Sequence, residues 1–250
     1  MAQVMISIII PVLNESAIIK STLVQLQQNS ECEIIVVDGG SHDQTVAIAQ
    51  QTTAKVLTVR GNRAEQMNAG ANIAQGEFLL FLHGDTQLPG NFEELIITAL
   101  NQPNTVAGAF ELAIEGTERA LRWIEILVKL RSHFWSLPYG DQGIFISKQV
   151  FTAIGGFASM PIMEDFELMK RLKKQGRIAI APGAVTTSGR RWQKLGVWQT
   201  TLINQLVIAG YYLGVSPIKL RSFYRNQGKK LLEKAQSNRP RLDPHIAEEQ

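Results

Sequence analysis

Short apolar runs alternate with stretches of helical periodicity through the first half of the chain. Residues 5–10, 33–37, 55–59 and 77–82 are rich in β-branched, aromatic and aliphatic side chains and read as strands. Residues 15–28, 43–51 and 63–74 lie between them and read as helices. Crossovers of this length return the chain for another parallel strand, so the alternation predicts βαβ units and a mostly parallel sheet. A helix over 92–100 follows Pro89 and leads to a strand over 106–112. The second half is less regular: helix over 118–134, strand over 143–147, helix over 164–175, strand over 177–181. Beyond these, Leu195, Trp198, Leu202, Leu206, Ala209 and Leu213 recur at spacings of three and four, the stripe of one amphipathic helix.

Composition narrows the class. With 250 residues, 45% hydrophobic and 19% charged, the chain can bury a substantial core as one large domain or two small ones, which excludes disordered, collagenous and coiled-coil chains. The net charge of +3 is too small to argue for a nucleic-acid partner. It is polarised, however. Lys219, Arg221, Arg225, Lys229, Lys230, Lys234, Arg239 and Arg241 face only Glu233 within residues 217–241, and the sequence from Ser237 on reads as a frayed tail. The single cysteine, Cys32, excludes an internal disulfide framework and a Cys-based zinc cluster; it fits a reducing compartment, and its place beside a strand reads as a packed thiol. The first apolar run lacks the basic residues of a signal peptide, and the apolar stretch over 206–215 is half the roughly 20 residues a membrane span requires.

Ligands of open parallel sheets bind at the carboxyl ends of the strands, so the residues after each strand carry the chemistry. The first strand runs into Pro11, Asn14 and Glu15, with neither a G-x-G-x-x-G turn nor a P-loop. Asn14 either caps the following helix or faces a ligand. The second strand ends in Asp38-Gly39-Gly40-Ser41, where a carboxylate before a glycine turn can accept from a ribose hydroxyl or a base N–H. The fourth emerges into His83-Gly84-Asp85, and Asp85 there is either a turn residue or an oxygen ligand for a divalent ion whose other positions a diphosphate fills. Glu164 and Asp165 open a helix, where acids are also favoured by the macrodipole. Asp141, between Gly140 and Gln142-Gly143, either presents its side chain to a hydroxyl or bonds its own backbone.

Taken in order, Pro11-x-x-Asn14-Glu15, Val37-Asp38-Gly39-Gly40-Ser41-x-Asp43-x-Thr45, Gly61-Asn62-Arg63-x-x-Gln66-x-Asn68-x-Gly70, His83-Gly84-Asp85, Gly140-Asp141-Gln142-Gly143, Gly155-Gly156-Phe157 and Glu164-Asp165-x-x-Leu168 resemble the motifs of family 2 glycosyltransferases of the GT-A fold. The resemblance spans roughly residues 4–192. It implies a nucleoside-diphosphate-sugar donor, UDP-linked by preference, a divalent metal, Mg²⁺ or Mn²⁺, and transfer to an acceptor hydroxyl. Pro11, Asn14, Glu15 and Asp38 would line the nucleoside pocket, Arg63 would reach the nucleotide, Asp85 would be the last acid of the D-x-D metal motif, and Asp165 the general base with Glu164 in reserve. One base without a covalent nucleophile implies a single displacement with inversion. His83 stands where that motif has its first acid, so it contacts metal, ribose or neither; imidazole suits Mn²⁺ better than Mg²⁺. Arg191 and Trp192 resemble the end of the Q-x-x-R-W motif of processive synthases, but no Gln stands three residues before Arg191.

These readings predict a single α/β GT-A domain, Rossmann-like with a mostly parallel sheet, over 1–192. A helical basic extension over 193–236 and a flexible tail over 237–250 complete the chain. The expected function is non-processive, metal-dependent, inverting glycosyl transfer in the cytoplasm, with the basic extension docking on anionic membrane near a lipid or lipid-linked acceptor. The competing readings are a nucleotidyltransferase, which would place a basic Gly-rich loop where Asn14-Glu15 stands, and a catalytically silent nucleotide-sugar-binding or membrane-docking protein.

Overall fold

The computed structural model describes residues 5–29, 32–135 and 137–237. The strands are β1 (Ile6–Val12), β2 (Glu33–Asp38), β3 (Lys55–Thr58), β4 (Phe78–Phe81), β5 (Thr86–Gln87), β6 (Thr105–Ile114), β7 (Ile144–Ser147) and β8 (Arg177–Thr187). They form one sheet in the order β3-β2-β1-β4-β7-β6-β8-β5. Pairings β2–β3, β1–β2, β1–β4 and β6–β8 are parallel, whereas β4–β7, β6–β7 and β5–β8 are antiparallel. The parallel half is the one predicted from the βαβ alternation. β1 and β2 are buried almost throughout, so they carry continuous apolar runs instead of alternating ones.

The helices of this unit are α1 (Ile19–Asn29), α2 (Thr45–Gln50), α3 (Arg63–Ile73), α4 (Phe92–Leu100), α5 (Arg119–Trp135), α6 (Lys148–Ala153) and α7 (Glu164–Lys173). α3 starts on a capping box, with Asn62 accepting the Glu65 amide and the Glu65 carboxylate accepting the Asn62 amide. Gly70 lets α3 press onto the sheet, because a Cβ there would lie 2.6 Å from Ile9 Cγ2. Phe81, Phe151 and Phe157 pack with ring centroids 4.8 to 5.5 Å apart and form the floor beneath the carboxyl end of β4.

Several expectations are corrected. The helix expected from residue 15 begins at Ile19; a turn precedes it, with the Ile18 and Ile19 amides donating to the Glu15 carbonyl and the Glu15 and Ser16 amides donating to Thr45 Oγ1 and Asp43 Oδ2 of the neighbouring loop. The strand expected over 177–181 continues to Thr187, paired with β6 past a bulge. The short elements β5 and α6 and the 3₁₀ turn Gly140–Gln142 had no periodic signal of their own.

The chain divides into two compact units, one ending at Ser188 and one starting at Gly189. The second holds α8 (Arg190–Leu195), α9 (Val197–Tyr212) and α10 (Pro217–Ser237). Arg190, Arg191 and Trp192 therefore open this unit instead of closing the first. In α9 the expected stripe points outward: Trp198, Leu202 and Leu206 are exposed, and Thr200, Ile203 and Val207 form the buried side. Both sides of α9 are apolar, so periodicity alone could not tell the packed side from the exposed one. No described helix is long and apolar enough to cross a membrane. Residues 238–250, with Arg239, Arg241 and the expected tail, lie outside the described residues.

Candidate active site

Side chains from four separate segments meet at the carboxyl end of the parallel half. Arg63 from the start of α3, Leu82 and His83 after β4, Gly140 from the 3₁₀ turn and Glu164 and Asp165 from the start of α7 line one cavity of about 10 Å³, room for roughly one water molecule. The Gly140 amide donates to Asp165 Oδ2 at 2.6 Å, and the other oxygen of Asp165 accepts the Phe166 amide at 2.7 Å. A Cβ at Gly140 would sit 3.1 Å from Asp165 Oδ2 and 3.2 Å from His83 Nε2, so a side chain there would make these two groups give way by a few tenths of an ångström.

The start of α7 is set by its backbone. Met163, just before Glu164, has φ 70°, a left-handed conformation that is uncommon for a long side chain and costs on the order of 1 kcal/mol or more. Glu164 is only 7% exposed, and the Nε of Arg63 lies 4.0 Å from its carboxylate. Burial raises the Glu164 pKa, Asp165 raises it further, and Arg63 opposes both. Two clamps hold the loop before α7. Asn68 donates to the Phe157 carbonyl and accepts its amide, while Arg171 donates to the carbonyls of Ile154 and Gly156 and pairs with Glu167.

His83 Nε2 lies 3.3 Å from Arg63 Nη1. A guanidinium only donates, so Nε2 is the acceptor and the neutral ring carries its proton on Nδ1. Burial and the neighbouring Arg63 push the His83 pKa down to about 3. With Nε2 committed to a guanidinium, that nitrogen is a poor metal ligand. Among the described residues no group of three or more His, Cys, Asp or Glu side chains could hold a metal. Asp85 remains as a carboxylate at the end of β4, in a turn fixed by the Thr86 amide donating to the His83 carbonyl and the Thr22 hydroxyl donating to the Gly84 carbonyl. One hard oxygen ligand fits a divalent cation that keeps its other positions for a diphosphate and water; it does not fit a cation held by the protein alone.

The first two strand ends are tied to each other. Asn14, with φ 56°, accepts the His42 amide on its side chain, and its own amide donates to Ser41 Oγ. It does not cap α1. Asp38 is 2% exposed and accepts the Gly40 and Ser41 amides, so its carboxylate faces its own turn. Pro11 lies within β1 opposite Val37, and Glu15 begins the turn that precedes α1. None of these four residues lines the cavity. Arg191 and Trp192 belong to α8 in the second unit.

Sequence reasoning missed the residues that support the 3₁₀ turn. Fully buried Gln142 accepts at Oε1 from Arg131, Ser132 and the Tyr139 amide, and donates to the Phe110 carbonyl. Arg131 also stacks 3.4 Å above the Tyr139 ring. Gln142 gave a signal only as one letter of a glycine-flanked motif, and Arg131 is indistinguishable in sequence from the other basic residues of α5.

Asp141, in the same turn, has its pKa pushed up to about 6 by burial, with Arg131 opposing and Asp165 adding to the rise. A folded value above the unfolded 3.8 means that the folded protein holds this proton more tightly. The resulting stability is complete below about pH 4 and is lost as pH rises through about 6. Relative to the wild type, Asp141→Asn is expected to gain on the order of 2 kcal/mol between pH 4 and pH 6.5, measured by urea unfolding at several pH values. Parallel stability curves for the two proteins would contradict the assignment.

Comparison with known proteins bears on the family and the fold. Residues 7–163, well over half of the chain, match the model of glycosyl transferase family 2. An uncharacterized glycosyltransferase of Haemophilus influenzae is 28% identical over 189 residues, covering 68% of this chain and 63% of its own length. A PGL/p-HBAD biosynthesis glycosyltransferase of Mycobacterium bovis is 36% identical over 97 residues, 35% of this chain and 38% of its own. The chain thus spans less than two thirds of the length of either relative. Among solved structures, a mannosyltransferase from Pyrobaculum calidifontis in complex with GDP-Man and Mn²⁺ superposes with TM-score 0.62 at 17% identity, over 93% of this chain and 73% of its own. Glucosyl-3-phosphoglycerate synthase from Mycobacterium tuberculosis, in complex with Mn²⁺, UDP and glucosyl-3-phosphoglycerate, gives TM-score 0.56 at 21% identity, over 75% and 71%. The fold is that of the GT-A glycosyltransferases, and the chain is a member of glycosyl transferase family 2.

Proposed function

We propose that this chain transfers a sugar from a nucleoside-diphosphate sugar to an acceptor hydroxyl, with inversion, and releases after one transfer. The observation that carries this is the meeting of Asp165, Glu164, Arg63 and His83 around Gly140. That constellation supplies a carboxylate base, a cation for phosphate and no activated nucleophile. The UDP and GDP-mannose bound by structural neighbours support a nucleotide-sugar donor, with the UDP form first to test.

In this mechanism Asp165 accepts the proton of the acceptor hydroxyl while the hydroxyl oxygen forms its bond to the anomeric carbon. The bond from that carbon to the diphosphate oxygen breaks, and the nucleoside diphosphate leaves with the electron pair. Arg63 is half-exposed and positioned to pair with phosphate oxygens. His83, neutral beside it, accepts from the guanidinium and orients it. Asp85 would hold Mg²⁺ or Mn²⁺ together with the diphosphate oxygens, and the bound cation would neutralise the charge developing on the leaving group. The amide of Gly140 keeps the Asp165 carboxylate aimed.

We also propose that the second unit docks peripherally at the cytoplasmic face of an anionic membrane. α9 exposes Trp198, Leu202 and Leu206, and Lys219, Arg221 and Arg225 follow on α10. An exposed apolar face beside basic residues is the chemistry of an interfacial helix. A lipid or lipid-linked molecule is the acceptor this reading proposes.

Three experiments test these proposals. With UDP-glucose, UDP-N-acetylglucosamine and GDP-mannose as donors, Asp165→Asn is expected to retain donor binding and lose roughly 10²- to 10⁴-fold in turnover. Asp85→Asn is expected to lose the increment in UDP affinity that Mn²⁺ gives the wild type, read by titration calorimetry. Near wild-type turnover in the first variant, or an unchanged Mn²⁺ increment in the second, would remove that residue from its role. For docking, co-sedimentation with phosphatidylcholine vesicles should rise with phosphatidylglycerol content, fall with salt and weaken in a Trp198→Ser, Leu206→Ser variant. Equal recovery in the supernatant at every lipid composition would refute docking.

A further inference from the structure

α5 is apolar on two sides. Leu121 and Ile124 are buried on the side that faces the core, whereas Trp123, Ile126, Leu127 and Leu130 are exposed, Trp123 by 60%. Spacings of three and four put these four side chains on one face, a ridge about two turns long. Exposed Arg119 stands at its head, and Arg122 and Lys129 border it. Arg122 pairs with Glu125, the only acid within the helix, and Lys129 pairs with Glu111. The two cations nevertheless keep 49% and 57% of their side chains exposed, against 17% and 24% for the acids. The charge that α5 presents to solvent beside the ridge is therefore positive. The exposed acids Glu115 and Glu118 stand before the helix begins.

We propose that α5 is an interfacial helix of the first unit, lying on an anionic bilayer with Trp123, Ile126, Leu127 and Leu130 among the outer acyl carbons and Arg119, Arg122 and Lys129 at the headgroup phosphates. Apolar side chains bordered by cations match the two layers such an interface offers, and long basic side chains reach from one to the other. A second copy of the chain fits less well, on area and on charge. The four side chains expose on the order of 400 Å², about half of the roughly 800 Å² that each partner of a standard interface buries. In a two-fold contact the cations of one α5 would meet those of the other, with no exposed acid of either helix to pair with. A ridge also needs a matching groove in a protein partner, whereas a bilayer interface yields to it. α5 belongs to the unit that holds the cavity, and its Arg131 and Ser132 side chains donate to Gln142 in the 3₁₀ turn. Contact through α5 thus anchors that unit directly. It goes beyond the docking proposed for α9 and does not depend on it.

The test reads depth and affinity in the full-length chain. In a Cys32→Ser background, a nitroxide is attached at Leu127→Cys on α5 or, as a control, at Thr98→Cys, an exposed position on α4. Each protein is mixed with vesicles of equal parts phosphatidylcholine and phosphatidylglycerol, and power-saturation EPR reads whether the label meets oxygen in the acyl region or a water-soluble nickel chelate. The label on α5 is expected in the acyl region and the label on α4 in water. In co-sedimentation with the same vesicles, a Trp123→Ser, Leu127→Ser variant is expected to bind about tenfold or more weakly than the wild type, with an unchanged circular dichroism spectrum. A label on α5 that stays in water on vesicle-bound protein, together with wild-type affinity of the α5 variant, overturns the inference and leaves docking by α9 standing. A wild type that binds no vesicles overturns both contacts and leaves the glycosyltransferase reading untouched. A wild type that is dimeric in sedimentation velocity and is made monomeric by Trp123→Ser, Leu127→Ser, with vesicle binding unchanged, overturns the inference in favour of a second copy on the ridge.

Discussion

The hydrogen bond from the Gly140 amide to Asp165 Oδ2 joins two segments that the sheet delivers separately. On one side the 3₁₀ turn leads into β7, which pairs antiparallel with β4 and so brings Gly140 alongside the residues that leave β4. On the other, α7 begins at a left-handed Met163 and presents its first two side chains toward the same point. Much of the surrounding structure holds these two ends in place: Gln142 under the turn, Asn68 and Arg171 on the loop before α7, and the Phe81, Phe151 and Phe157 cluster beneath. A carboxylate held by two backbone amides in a confined site is a preorganised arrangement, with little left to rearrange.

The parallel half of the fold was legible because its signals are local. β1, β2 and β4 are continuous apolar runs, and α3 announces its start with Asn62 and Glu65. The antiparallel insertion of β7 between β4 and β6 was not legible, since a four-residue strand carries no sign of its partner. The residues gathered at the cavity, Arg63, His83, Glu164 and Asp165, were each visible at a strand or helix end. Their mutual distances were not, because these depend on long-range pairing across the sheet. Asn14 and Asp38 carry local bonds that the sequence did not announce. Both were candidates for ligand contact, and both spend hydrogen bonds on holding the loop between β2 and α2. Arg131 and Gln142 escaped notice because their roles are tertiary.

His83 is the point where this chain differs most from the pattern it resembles. Next to Arg63 an acid would pair with the guanidinium, whereas the neutral imidazole only accepts from it. Arg63 therefore has Glu164, at 4.0 Å, as the carboxylate beside it, and Asp85 is left as the acid of that turn. In the proposed reading the chemistry divides between a phosphate role for Arg63 and Asp85 and a proton-accepting role for Asp165.

The central claim is that close approach of the turn to Asp165 and His83 is required for transfer. Gly140→Ala tests it most directly, since the added methyl would crowd Asp165 Oδ2 at 3.1 Å and His83 Nε2 at 3.2 Å. Release of nucleoside diphosphate from UDP-glucose, UDP-N-acetylglucosamine or GDP-mannose in the presence of Mn²⁺ and acceptor is expected to fall at least about tenfold, with the circular dichroism spectrum and thermal midpoint close to wild type. Wild-type turnover in the folded Gly140→Ala protein would contradict the account.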